Sequence, residues 1–72
     1  MKLINVNEIV SVKLFTIEIS EDELDVFEMC TKYLLETLSP SGIEQASGAT
    51  KDELSAINEE ISRLLKQHTT LR

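Results

Sequence analysis

The stretch from Glu21 to Leu38, EDELDVFEMCTKYLLETL, has the apolar spacing of a helix that is oily around most of its circumference. At 100° per residue, Leu24, Phe27, Leu34, Leu35 and Leu38 fall on one face. Val26, Met29, Cys30 and Tyr33 carry that face onward round the barrel. Only a strip through Glu21, Asp25, Glu28, Lys32 and Glu36 is left for water. The apolar arc covers about two-thirds of the circumference, where a helix with one buried face needs little more than about 100°. A chain of 72 residues has few other elements to lay against such a helix.

The ends of this helix are well marked. Ser20-Glu-Asp-Glu is a capping box, with Ser20 as N-cap and Glu23 three residues on. The three acids suit the positive end of the helix dipole. Ser39-Pro40 stops the helix, because a residue before proline avoids helical backbone angles. The sequence therefore predicts a first helix over about 21–38. A second capping box, Thr50 with Glu53, starts a second helix over about 51–67. Its Leu54, Ile57, Ile61, Leu64 and Leu65 form one narrow stripe. The final HTTLR reads as a fraying end. Leu24, Phe27, Thr31, Leu34 and Leu38 on one helix, and Leu54, Ile57, Ile61 and Leu64 on the other, have the 3-4 spacing of an antiparallel helical hairpin.

Residues 39–49 (SPSGIEQASGA) hold both glycines and the one proline, and read as a long connector tacked down by Ile43. Residues 2–19 are strand material. There Val10, Val12 and Leu14 share one parity, and Phe15, Ile17 and Ile19 the other. A bulge near Leu14–Phe15, or partial cover over both faces, accounts for that change of phase. A first strand over Lys2–Val6 turns back near Asn7. The expected architecture is a single α+β domain over 1–72: an N-terminal strand or hairpin, then an antiparallel two-helix hairpin that dimerises into a helical bundle.

At this size, apolar burial and the entropy of ordering the chain nearly cancel, so a small domain needs a staple or a partner. Cys30 is the lone cysteine, so no internal disulfide is available. One Cys and one His do not make a structural zinc site. Association is the staple that remains. The residues expected to carry it are Val26, Met29, Cys30 and Tyr33 on the first helix, with Phe15 and Ile17 on the strand. The partner is a second copy of the chain, or a host or other protein.

Charge narrows the partners further. A net charge of −6 disfavours nucleic acid and anionic membrane surfaces. The N-terminus lacks the long uncharged stretch of a signal peptide and no apolar run spans a bilayer, so the chain reads as cytoplasmic. Glu21, Asp22, Glu23, Asp25 and Glu28 put five carboxylates in eight residues. They read first as a capped, solvated helix start, and otherwise as an acidic docking patch formed by Glu21, Asp22, Asp25 and Glu28. They do not have the calcium-loop spacing. Cys30, among Phe27, Met29 and Leu34, reads as a buried thiol rather than a nucleophile, and His68 is remote from it in sequence. No phosphate loop, metal-spaced cluster or nucleophile elbow is present, so no enzyme activity, metal or cofactor is expected.

Two resemblances bear on function. KLFTIEISEDEL resembles the strand-into-helix entry of ribbon-helix-helix repressors. That resemblance implies strand-mediated dimers. It also implies that Thr16 and Glu18 face DNA, where Glu18 beside Glu21 and Asp22 would repel phosphates. The order FTIEISEDEL, YLLETL, DELSAINEEISRLLK is similar to small uncharacterised strand-helix-helix proteins of Gram-positive phages and prophages. That second likeness implies an inhibitor that binds a host protein through an acidic surface.

Overall fold

The computed structural model describes residues 1–68. Two strands, β1 (Lys2–Ile9) and β2 (Val12–Glu18), form an antiparallel hairpin. Three helices follow: α1 (Glu21–Thr37), α2 (Pro40–Ser47) and α3 (Lys51–His68). The fold is α+β, as the sequence predicts. Among the described residues no helix is long and apolar enough to cross a membrane. Of the expected C-terminal fraying, His68 belongs to α3, and 69–72 lie outside the described residues.

Both capping boxes form. The Ser20 hydroxyl accepts from the Glu23 amide at 3.1 Å, and the Glu23 carboxylate accepts from the Ser20 amide at 3.1 Å. Thr50 and Glu53 repeat this arrangement at 3.1 and 2.9 Å. The connector is where expectation and structure part. Ser39 is both the stop of α1 and the N-cap of α2, accepting from the Gly42 amide, with Pro40 in the first helical turn. Proline is well placed there because its missing N–H would have had no partner. Gly48, at φ 77°, closes α2 in the left-handed conformation that glycine adopts without strain.

The hairpin turn also lies elsewhere than expected. It is not near Asn7. β1 runs on to Ile9, and the chain reverses at Val10 (φ 48°) and Ser11 (φ 68°). Two central residues with positive φ are the signature of the tight I′ hairpin turn, which Asn-Gly favours and a β-branched valine resists. The bulge is on the other strand too: the register shifts between Leu3 and Asn5, not near Leu14–Phe15. β2 therefore alternates without interruption. Phe15 and Ile17, paired with Val6 and Leu3, share one face; Val12 and Leu14 share the other with Ile9. Both faces carry apolar residues, at opposite ends of the hairpin.

The α1–α3 contact is antiparallel and rotated from the expected one. The Asn58 amide donates to the Glu28 carbonyl at 3.1 Å and to the Thr31 hydroxyl, and the Ser62 hydroxyl donates to the Glu28 carboxylate. The same register brings Leu24 level with Leu65, and Leu35 level with Leu54. Glu28, expected in the solvated strip, thus lies half-buried in the seam. Phe27, Leu38, Ile57 and Leu64, expected in the seam, are exposed. The rotation follows from the polar pairs: sealing Glu28, Thr31, Asn58 and Ser62 against one another turns each apolar stripe partly outward. Ile43 of α2 is fully buried and Leu54 is 5% exposed; they are the buried core among the described residues.

The strands were expected to cover part of the first helix. They do not. No residue of β1 or β2 is buried, and neither strand forms a packed interface with a helix. The hairpin is held at its root, where the Met1 ammonium pairs with Glu23 at 2.8 Å. Ile19 adjoins Leu24, Leu64 and Leu65 there.

Candidate association surface

Two stacked layers are the usual minimum for a domain, because each layer hides the oily face of the other. This chain is 17 Å through its thinnest direction, and 40 by 35 Å across. Its radius of gyration is 14.0 Å, against about 11 Å for a compact chain of this length. It exposes 5830 Å², where a compact chain of 8.1 kDa exposes about 4,500 Å². The excess is about 1,300 Å², and many of the exposed side chains are large and apolar.

On α1, Val26, Met29 and Tyr33 are 59, 62 and 65% exposed. By helical spacing they point away from α3, along the outer edge of the helical layer. Cys30 lies between Val26 and Phe27 on the same arc and is exposed. Its thiol is therefore not the buried one expected from its apolar neighbours, because nothing among the described residues packs on that side. Met29, Cys30, Tyr33 and Leu34 line a shallow, almost wholly apolar depression. Around the helix from it, Phe27 and Leu38 open onto one broad face of the layer. With α3 antiparallel, Ile57 and Leu64 open onto the same face. The edge of α1 and this broad face form one continuous apolar surface. Sequence reasoning missed Ile57 and Leu64 as part of it, and the available signal was the row of polar residues at Glu28, Thr31, Asn58 and Ser62.

On the hairpin, Phe15 and Ile17 are exposed together with their cross-strand partners Val6 and Leu3. Both strands also present a free edge. A lone two-stranded hairpin is marginal in water, and open edges invite pairing with another chain.

Of the candidate acidic patch, Glu21, Asp22 and Asp25 come together, with carboxylate oxygens within 4.8 Å of one another. Glu28 does not join them, being engaged by Ser62 in the seam. Glu21 and Asp22 lie in the first turn and are accounted for by the helix dipole. The most perturbed acid is Glu23. The Met1 ammonium, the Ser20 amide and the Ser20 hydroxyl all donate to its carboxylate and hold its pKa down to about 2. Glu53 is lowered as well, by the amide and hydroxyl of Thr50. Both are capping groups, and their shifts follow from structure at helix ends. His68 is exposed at the end of α3, beside Leu64, Leu65 and Ile19, away from Cys30 at mid-α1.

No protein-family model, curated protein or solved structure matches the chain.

Proposed function

We propose that this chain is a small non-enzymatic protein–protein interaction module that works as a homodimer in the cytoplasm. The observation that carries the reading is the excess of exposed surface, with Val26, Met29, Tyr33 and Phe15 each more than half exposed within it. About 1,300 Å² per chain is roughly 2,600 Å² for a pair, within the range of permanent homodimer interfaces. The residues at issue are Val26, Met29, Cys30 and Tyr33 on α1, with Phe15 and Ile17 on the hairpin. A second copy is the occupant that the areas favour, since it brings an equal apolar surface and needs cover of its own. An exposed, unpaired thiol fits a reducing compartment.

Light scattering on the purified chain is the test. The expected mass is twice 8.1 kDa, and Met29→Glu with Tyr33→Glu is expected to halve it. A wild type that is monomeric, and still folded by circular dichroism, overturns the reading.

A further inference from the structure

The arrangement of the dimer follows from where the bare surface is centred; this rests on the self-association proposed above. α1 runs from Glu21 to Thr37, so its midpoint is Met29, next to Cys30. Around the helix, the exposed apolar arc runs from Phe27 and Leu38 through Cys30 to Val26, Tyr33 and Met29. Cys30 is close to the middle of that arc as well. A closed pair of identical chains uses one self-complementary patch, and a residue on the twofold axis meets its own copy. The small side chain of Cys30 also lets two helices approach closely at that point.

Direction follows from charge. Glu21, Asp22 and Glu23 crowd the first turn of α1, and its last turn has no cation. Two parallel α1 helices would set these like-charged turns side by side. Antiparallel helices separate them by the helix length and oppose their dipoles. We infer that two copies pack α1 against α1 in antiparallel fashion, with the twofold axis beside Cys30. Val26 then lies level with Leu34 of the partner subunit, and Tyr33 level with Phe27 of the partner subunit. Each β-hairpin emerges beside the end of the partner's α1, where Phe15 and Ile17 are near uncovered apolar surface. The area available per chain suits this pairing.

A short bismaleimide, which joins two thiols only when they are close, tests the arrangement beside a mass measurement. The wild type is expected to be a dimer in solution and to shift on a denaturing gel from 8.1 kDa to twice that mass. The shift should vanish when the reagent is added in urea. In the Cys30→Ser, Thr37→Cys chain the two thiols would stand about 21 Å apart along antiparallel helices, so its band stays at the monomer position. Thr37 is exposed and Cys30 unpaired, so both changes spare the packing within the chain. A dimer whose Cys30 thiols do not cross-link overturns the inference and leaves the functional reading standing. So does a dimer in which Thr37→Cys cross-links as readily as Cys30, which indicates parallel helices. A monomeric mass overturns both.

Discussion

The helical part of this chain buries Ile43 and Leu54 and pins its α1–α3 seam with hydrogen bonds from Asn58 and Ser62; the β-hairpin buries nothing. Both are regular secondary structure. They differ in whether a second surface lies against them. The helices have found part of theirs within the chain, through α2 and the seam. The hairpin has a ladder, two open edges and apolar residues on both faces, and it is held only at its root. Secondary structure can thus be specified locally without the described residues supplying a second surface to cover it.

The sharpest way to break this comparison is to cut into each part and vary the chain concentration. Ile43→Ala should cost about 2–4 kcal/mol, because the side chain is fully buried within its own chain. That loss should be the same at low and high chain concentration. Phe15→Ala should cost little when the chain is dilute and progressively more as association sets in, since binding stabilises the folded state by mass action. Urea midpoints at two concentrations separate the two. A Phe15→Ala loss as large and as concentration-independent as that of Ile43→Ala would mean that the hairpin is covered by its own chain.

The turn offers the opposite manipulation, strengthening the hairpin without touching the helices. Val10 is 90% exposed at φ 48°, and Ser11 follows at φ 68°. Replacing them by Val10→Asn and Ser11→Gly should stabilise the hairpin by about 1–2 kcal/mol, the cost of left-handed backbone for ordinary residues. Hydrogen exchange should slow at the β1 and β2 amides and stay unchanged in α3. Equal slowing in both would show that hairpin and helices open as one unit.

This turn also marks how far the sequence could be read. The two capping boxes were legible because a cap is a local device: Ser20 with Glu23, and Thr50 with Glu53, need no distant partner. Val10-Ser11 carries no turn chemistry, so Asn7 drew the prediction, and pairing across Ile9 and Val12 decided otherwise. α2 was missed because Ser39-Pro40 was read only as a stop, although the same pair makes a sound N-cap and first turn. The width of the apolar arc on α1 was legible from spacing. Which part of it meets α3 was not, because that depended on Glu28, Thr31, Asn58 and Ser62 finding one another across 27 to 34 residues of chain.

Those polar residues set the third prediction. Asn58 is half-buried and donates to both Thr31 and the Glu28 carbonyl. Asn58→Ala should cost about 1 kcal/mol, the net worth of such hydrogen bonds. It should also loosen the seam, because polar pairs between helices fix their register. Broadened amide resonances in α1 and α3, with the hairpin unchanged, are the expected signature. An unaltered α1–α3 register would mean that Leu24, Leu35, Leu54 and Leu65 set it unaided.

The smallest effect tests the ion pair between the two parts, formed by the Met1 ammonium and Glu23. In the folded chain the Glu23 carboxyl is held near 2, against its ordinary 4.5. A folded carboxyl that binds its proton less readily than the unfolded one makes stability greatest above about pH 4.5. That contribution is lost as pH falls from there toward 2, because protonation then favours the unfolded chain. Glu23→Gln removes this contribution, so the wild type should exceed the variant in urea midpoint at neutral pH, and the gap should close on acidification through this window. Glu53 titrates with the same sign in both chains and cancels in the difference. The tie is exposed to solvent and screened, so the gap should be modest and shrink with added salt. A gap that persists unchanged at pH 2 would show that Glu23 acts through its size rather than its charge, and that the hairpin root is held by Ile19 alone.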